Sequence, residues 1–404
     1  MKTMVLRHLG AAVAVVCGLS SASPARADDV DVTALPMITD RNFAIDVYLG
    51  PALGSSRIVG MGGAAVALAE GSAGNLSNPA APAVRAATSY ETWDWDWHAD
   101  WLSPQIGSDF DGNGIPTTEQ LDSAPYVTAG IVGNYRQWAL GASVSSFHQA
   151  AGQVDATVTV GQLTLARTFL RDQLAVGLGL RVGTLEVTDQ MNNALFDIAG
   201  SGLEAGAVWK PSWIDLRLGG SVSLPVHGSN VAVDQCADPS NCFGFITPDR
   251  VVVPWRFAVG GAWRRGPTRW NRTVHTDFRD ERALVLAADL VVTGAVKNGY
   301  GIEAFGEQRL QRSGAKVVFS PRFGVEYEWK PGWFRIRGGT YYEPGRFKDE
   351  TGSTRSGRVH ATLGADVRIW SFHLWGNLHR VRLSLTSDLA ARYGNGGLSI
   401  GFWH

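Results

Sequence analysis

Apolar and polar side chains alternate along much of the chain, most plainly in YETWDWDWHADWLS at residues 90–103. One parity carries indoles and the other carries acids and a histidine: Trp93, Trp95, Trp97, Ala99 and Trp101 against Asp94, Asp96, His98 and Asp100. Successive side chains of a strand point to opposite faces, whereas a helix would scatter both kinds around its axis. The pattern therefore predicts a strand with one apolar wall and one acidic wall.

The same alternation recurs in later runs of about ten residues, which is long enough to cross a bilayer when the strand is tilted. The apolar faces of these runs lie within residues 174–182, 214–224, 251–263, 317–329 and 359–369. Their opposite faces carry charges in mid-strand. A soluble sandwich and a membrane barrel would both give this pattern, so the connections between strands must decide.

The connections alternate between short and long. Short ones are predicted at 134–138, 170–173, 209–213 and 329–333, and long ones around 102–123, 149–158, 187–199, 226–248, 295–315 and 344–356. Transmembrane barrels have short periplasmic turns and longer external loops. Two of the short turns read Trp-Lys-Pro-x-Trp, which suits an aromatic girdle at the membrane interface. The connections therefore favour an outer-membrane barrel.

The runs predict an all-β fold, a 14-stranded antiparallel transmembrane β-barrel. The predicted strand starts are near residues 88, 124, 137, 160, 172, 201, 213, 249, 282, 316, 332, 357, 372 and 389. An extra strand at 299–309 is an open alternative. Residues 265–281 should form a short turn but are long and basic, and the sequence offers no explanation for them.

The amino terminus and the composition agree with export. Of the 404 residues, 18% are charged, below the roughly 25% of soluble domains. Residues 1–27 have a basic start, an apolar run and a small-x-small end at Ala25-Arg26-Ala27, which predicts a signal peptide. Its removal deletes three basic residues and no acidic ones, which changes the formal net charge from −1 to −4. This charge gives no reason to expect nucleic-acid binding.

Two cysteines remain after residue 27, Cys236 and Cys242. An exported chain reaches an oxidising compartment, so a small disulfide loop is predicted. Zinc would need more ligands than this stretch supplies. No later stretch is apolar for long enough to form a transmembrane helix.

Residues 28–84 do not alternate and are rich in glycine and small residues, ending near Asn78, Pro79 and Ala80. With this motif, and with the strand-turn-strand phrases at 135–147, 208–226, 251–264 and 322–345, the chain resembles the FadL/TodX family of outer-membrane transporters for long-chain fatty acids and aromatic hydrocarbons. The resemblance implies three regions: a signal peptide (1–27), an amino-terminal extension and hatch inside the lumen (28–84) and the barrel (85–404).

The resemblance also implies a function. It predicts a passive diffusion channel, not an enzyme, for hydrophobic small molecules such as long-chain fatty acids, with release sideways through a gap beside the third strand once the hatch allows it. The residues of that strand nearest any kink are Gly141, Ser143, Ser145 and Phe147. The expected partners are membrane lipids, lipopolysaccharide and the hydrophobic ligand, and a monomer is expected.

A ligand carboxylate would need a basic residue in the lumen, and several arginines have the parity of the inner face. They are Arg181, Arg217, Arg256, Arg335 and Arg337. Arginine suits bidentate carboxylate binding. The alternative for each is an ion pair with a wall carboxylate that braces the barrel.

Three further interpretations of the sequence remain open. In DFDGNGIPTTEQ, residues 109–120, Asp109, Asp111 and Asn113 hold calcium-loop positions, but Gln120 replaces the usual glutamate, so a weak external calcium site and a plain acidic loop are both compatible. His98 between two aspartates would fit an outer-membrane hydrolase if it bonded to a hydroxyl. The third interpretation is that the chain is a barrel scaffold or a protein-secretion shuttle. No cofactor other than this calcium is expected.

Overall fold

The computed structural model describes residues 29–89, 92–104, 109–115, 126–228, 236–275, 278–374 and 377–403. Within them, fourteen antiparallel strands close into one barrel, each paired with the barrel strands before and after it, and the last paired with the first. The barrel strands are β2 (Trp93–Pro104), β3 (Tyr126–Tyr135), β4 (Trp138–Ala151), β5 (Val154–Phe169), β6 (Leu174–Asp189), β7 (Ala194–Trp209), β8 (Leu216–Ser223), β11 (Arg256–Arg265), β12 (Leu284–Thr293), β15 (Val318–Lys330), β16 (Phe334–Glu343), β17 (Arg358–Leu374), β18 (Asn377–Ala390) and β19 (Tyr393–Phe402).

The predicted fourteen-stranded antiparallel barrel is confirmed, and so is the division of its two faces. On β2, Trp93 and Trp101 are 39% and 55% exposed on the outer wall, whereas Asp96 and Asp100 are 7% and 3% exposed on the inner wall. Large apolar side chains cover the outer wall of the other strands in the same way. The alternation therefore separates an apolar outer surface from a polar interior.

Two of the predicted long loops are wrong. Strands β5, β6 and β7 are each 16 residues long, and β4 joins β5 through a tight turn in which Gly152 has φ +64°. Residues 190–193 alone join β6 to β7. Threonine and valine fill the polar-looking runs, and such β-branched residues favour extended backbone. The long connections that remain, at 105–125, 224–255, 294–317 and 344–357, define the long-loop end, and the opposite end is the short-turn end.

A second, smaller sheet lies at the long-loop end, in the order β14-β13-β1-β10-β9. Its strands are β1 (Ala44–Asp46), β9 (Val226–His227), β10 (Arg250–Val253), β13 (Gly299–Tyr300) and β14 (Arg312–Ser313). Pro225 and Pro254 separate β9 and β10 from the barrel strands β8 and β11, because proline cannot donate to a sheet ladder. The barrel strand predicted to start near 249 therefore starts at Arg256, and Val251 is buried inside at 5% exposure. The alternative strand at 299–309 is instead β13 followed by the helix Ile302–Gly306.

The amino-terminal segment, residues 29–89, runs from the long-loop end through the lumen to the start of β2. Val30 and Leu35 pack with Ile115 and Ala304 at the long-loop end, and β1 pairs in parallel with β10 and β13. Its short helices are the 3-10 turns Val32–Ala34 and Ala81–Ala83 and the α-helices Ser56–Gly60 and Gly71–Asn75. No helix in the described ranges is both long and apolar enough to span a membrane.

The long connection after β11 folds across the short-turn end instead of projecting from it. The Trp270 N–H donates to Asp215 Oδ1 at 2.7 Å, and its ring lies 4.0 Å from the guanidinium of Arg217. The Val274 N–H donates to the Ala87 carbonyl at 2.9 Å. This contact joins the connection to the amino-terminal segment and covers that end of the lumen.

Candidate functional site

Wall aspartates hold the amino-terminal segment by its backbone. The bonds are Ser72 N–H to Asp96 Oδ2 at 2.6 Å, Ser56 N–H to Asp100 Oδ1 at 2.6 Å, and Ala65 and Val66 N–H to Asp289 Oδ2 at 2.6 and 2.8 Å. Ser56 and Ser72 lie in the first turns of short helices, whose leading N–H groups lack partners within the helix. The acids that alternate with tryptophan in β2 therefore bind the segment that fills the barrel.

The motif Asn78, Pro79 and Ala80 sits against the opposite wall. Asn78 is fully buried, and its Nδ2 donates to the carbonyls of Val66, Ala207 and Gly220 at 2.9, 3.1 and 3.3 Å. A Cβ at Gly177 would overlap the Pro79 carbonyl, and a Cβ at Gly206 would overlap Asn78 Oδ1. Sequence analysis missed these two wall glycines, although both lie on the inner parity of alternating strands.

The candidate arginines divide into two groups, and the first group is paired with carboxylates. Arg217 Nη1 lies 2.6 Å from Glu70, Arg335 Nη2 lies 3.2 Å from Glu328, and Arg337 Nε lies 2.6 Å from Glu326. Arg337 Nη1 also donates to Asp366 at 2.7 Å. Each of these guanidinium groups is therefore paired with a carboxylate of the barrel wall or of the amino-terminal segment.

Arg181 and Arg256 form the second group. Both line an interior cavity of about 230 Å³ between the amino-terminal segment and the wall. Neither guanidinium group makes a hydrogen bond or an ion pair with any residue that the structure describes. Arg322 also reaches the cavity, where the carboxylate of Glu204 accepts a hydrogen bond from Gln162. Positive charge therefore predominates among the ionisable side chains of the lining.

The rest of the cavity lining combines serine, threonine, asparagine and tyrosine side chains with an apolar part. It includes Val47, Leu49, Leu53, Leu76, Pro79, Val160, Val253, Pro254, Val291 and Val318. The residues come from the amino-terminal segment, from the inward-turned stretch before β11 and from wall strands on both sides. The cavity thus places two guanidinium groups that lack a hydrogen bond or ion pair among the described residues beside apolar and hydroxyl-bearing side chains.

The third barrel strand, β4, keeps continuous pairing with both neighbours. Its register partners run without a shift from Tyr126 to Tyr135 on β3 and from Val154 to Arg167 on β5. Gly141, Ser143, Ser145 and Phe147 face inward, and the amino-terminal segment covers part of this face. Asn75 Nδ2 donates to Ser143 Oγ at 3.5 Å, and a Cβ at Gly141 would lie 2.8 Å from Pro82 Cγ. In this conformation the wall is closed at the predicted gap residues.

His98 does contact a hydroxyl, as a hydrolase would require. Its Nδ1 lies 3.0 Å from Ser72 Oγ, but that hydroxyl donates its proton to Asp96 Oδ2 at 2.8 Å. His98 Nε2 and Asp100 Oδ2 are 3.8 Å apart, too far for a hydrogen bond. Ser72 and His98 are each 1% exposed and do not line the interior cavity. The group fits attachment of the amino-terminal segment better than nucleophilic catalysis.

The described part of the calcium-like loop, 109–115, is held by hydrogen bonds within the loop and to Glu303. Asp109 Oδ2 accepts from the Gly114 N–H at 3.0 Å, Asp111 Oδ1 accepts from the Asn113 N–H at 3.1 Å, and Asn113 Nδ2 donates to Glu303 at 2.5 Å. Residues 116–120 lie outside the described ranges. Within those ranges, no three His, Cys, Asp or Glu side chains form a group suited to a metal ion.

The predicted disulfide residues also lie at the long-loop end, where Cys236 and Cys242 are bonded to each other. Cys242 is buried in the apolar cluster that contains Phe196 and Phe305. The small covalent loop therefore packs against the second, smaller sheet and the ends of the long strands. It does not line the interior cavity.

No protein-family model matches the chain, and no curated protein matches it in sequence. Among solved structures, a FadL homologue from Pseudomonas aeruginosa aligns with a TM-score of 0.50 and 13% identity, over 89% of this chain and 99% of that protein. A deltaS2 mutant of the TodX monoaromatic hydrocarbon channel aligns with a TM-score of 0.51 and 10% identity, over 88% of this chain and all of that one. The predicted resemblance is confirmed for the fold: this chain has the barrel fold of the FadL homologue and the TodX channel.

Proposed function

We propose that this chain is a passive outer-membrane channel for hydrophobic small molecules that carry one anionic group, such as long-chain fatty acids. The observation that carries the proposal is the interior cavity, in which the guanidinium groups of Arg181 and Arg256 lie beside apolar side chains and make no hydrogen bond or ion pair with the described residues. The shared fold with a monoaromatic hydrocarbon channel supports a channel over a hydrolase. The filled lumen gives no support to a protein-secretion shuttle.

The chemistry of the cavity favours an amphipathic acid over a neutral hydrocarbon. A buried guanidinium without a partner is unfavourable, and a ligand carboxylate can accept two parallel hydrogen bonds from it. The alkyl chain would contact the apolar lining, where burial contributes about 0.8 kcal/mol per CH₂. Both ends of such a ligand therefore find a matching surface.

The proposed location follows from the outer wall. Its exposed leucine, valine and tryptophan side chains need hydrocarbon around them, and a closed barrel leaves no strand edge unpaired in lipid. In this placement the long-loop end faces outward and the short-turn end faces the periplasm. Membrane lipids and lipopolysaccharide then surround a monomer. Release sideways beside β4 requires the segment that covers Gly141 and Ser143 to move.

Equilibrium binding tests the proposal. Dodecanoic acid and dodecanol are titrated into the amphipol-stabilised wild type and into an Arg181→Gln/Arg256→Gln variant. Each charge-assisted hydrogen bond contributes roughly 1.5–3 kcal/mol, so we expect at least a tenfold loss of affinity for the acid and little change for the alcohol. Arg265→Gln, an exposed arginine at the end of β11, is the control. Equal affinities for the acid in all three proteins would contradict the proposal.

A further inference from the structure

We propose that the outer wall carries a discrete site for one glycerophospholipid at the short-turn end of β2 to β5. The site is an open, apolar groove of about 550 Å³ on the membrane-facing surface. It is separate from the interior cavity and rests only on the proposed placement of the barrel in the outer membrane. The transport proposal can therefore fail without affecting it.

The floor of the groove is a glycine between large side chains. Strand register places Trp95, Gly133, Leu140 and Leu165 side by side across four strands, all on the outer face. A Cβ built on Gly133 would meet no atom within 4 Å. Side chains therefore project from the wall on either side of Gly133, and none projects from Gly133 itself. The gap between them forms a channel for an acyl chain.

The neighbouring row of residues, nearer the short-turn end, supplies positive charge. Trp93, Tyr135, Trp138 and Arg167 are register partners in that row. The Arg167 guanidinium lies 4.8 Å from the Trp138 ring and 5.1 Å from the Phe169 ring, and its Nε is buried without a hydrogen-bond partner among the described residues. Aromatic contact on two sides holds this cation at the level of the membrane interface.

A second arginine lies beside it in the turn between β3 and β4. Arg136 is exposed, and its guanidinium is 5.4 Å from the ring of Tyr135. A carboxylate lies at this end as well, because Asp94, which accepts a hydrogen bond from Ser89, lines the groove. Arg136 and Arg167 beside this end outnumber Asp94, the one carboxylate among the described lining residues, so the net charge is positive. A positive charge matches a phosphate and fits a phospholipid better than a neutral lipid.

Native mass spectrometry of the full-length mature protein tests the site. Phosphatidylglycerol and a diacylglycerol with the same acyl chains are titrated into the wild type, Gly133→Leu, Arg167→Gln and Gly161→Leu. Gly133→Leu adds a side chain to the groove at a position where the new Cβ meets no atom within 4 Å. Gly161→Leu is the matched control, because this outer-face glycine of β5 has only the Val182 carbonyl near its Cβ position, at 4.0 Å. The heat-dependent shift in gel mobility checks that each barrel is folded.

We expect one phospholipid to remain on the wild type and on Gly161→Leu and to be lost from Gly133→Leu. Arg167→Gln should weaken phosphatidylglycerol binding about tenfold, the scale of one charge-assisted hydrogen bond. Diacylglycerol should bind the wild type weakly. The proposal is overturned if folded Gly133→Leu retains phospholipid as the wild type does, or if diacylglycerol binds as tightly as phosphatidylglycerol.

Discussion

At the scale of single residues, the inner-wall carboxylates serve as acceptors for the backbone that fills the barrel. Asp289 accepts two N–H groups of the amino-terminal segment through one oxygen, and Asp96 accepts both the N–H and the hydroxyl of Ser72. A buried carboxylate is tolerated only with such partners. Attachment of the segment is therefore spread over several aspartates on different strands.

Replacement of Asp289 by alanine should loosen the segment. The N–H groups of Ala65 and Val66 would lose their acceptor, at a cost of about 1–3 kcal/mol each for a buried donor. We predict more frequent ion-conducting events in planar bilayers than the wild type gives. Glu350→Ala, on an exposed residue of a long loop, is the control and should match the wild type. A silent Asp289→Ala channel would show that the segment does not depend on this carboxylate.

Asp111 allows a pH-dependent prediction outside the membrane span. Burial raises the pKa of Asp111 well above its usual range, and the charges of Glu303 and Asp109 raise it further. The folded state then holds this proton more tightly than the unfolded state. The stability it contributes is present below the unfolded pKa of about 3.9 and is lost as the pH rises through the folded pKa. We predict that Asp111→Asn raises the melting temperature at pH 8 more than at pH 4.

The same melting experiment separates the two interpretations of residues 109–120. If calcium raises the melting temperature of the wild type at pH 8 but not that of Asp111→Asn, the loop binds metal. If calcium has no effect on either protein, the loop is only acidic. An equal benefit of Asp111→Asn at both pH values would contradict the assigned charge repulsion.

The arginines mark the limit of sequence analysis at this scale. Their inner-face parity was predictable from alternation, because a strand fixes which face a side chain takes. Whether each is paired depends on residues far along the chain: Arg217 meets Glu70, whereas Arg181 and Arg256 meet none of the described carboxylates at ion-pair distance. No local pattern distinguishes these cases.

At the scale of elements, the barrel strands were predictable from the sequence and the second, smaller sheet was not. Ten or more alternating residues give a strong periodic signal, but β1 has three residues and pairs with segments that start at Arg250 and Gly299. Its pairing is set by tertiary contacts. Pro225 and Pro254 were visible signals that the strands on either side end there. The position of 266–283 across the short-turn end likewise depends on contacts made by Trp270 and Val274.

Crosslinking tests whether the amino-terminal segment must move away from β4 for the ligand to pass. Asn75→Cys and Ser143→Cys replace side chains that lie within 3.5 Å of each other. A short thiol crosslinker should stop fatty-acid uptake, and reduction should restore it. The two single-cysteine variants, treated with the same reagent, are the controls. Full uptake through the crosslinked protein would show that the ligand leaves by another route.

At the scale of the whole molecule, described segments lie across the barrel axis at both ends and in the middle. The second, smaller sheet lies at the long-loop end, the segment with Asn78 lies in the centre, and residues 266–275 lie across the short-turn end. The interior cavity lies between these segments and the wall. Such a barrel should exclude water-soluble solutes while it admits a ligand that fits the cavity.

Uptake by whole cells tests the central claim most directly. Gram-negative cells without their own fatty-acid channel are given labelled oleate while expressing the wild type or Arg181→Gln/Arg256→Gln at equal surface levels, with a small hydrophilic sugar as the second solute. We predict that the wild type admits oleate but not the sugar, and that the double variant admits much less oleate. Sugar entry through the wild type, or equal oleate uptake by the two proteins, would contradict a closed channel with an arginine-lined cavity for amphipathic acids.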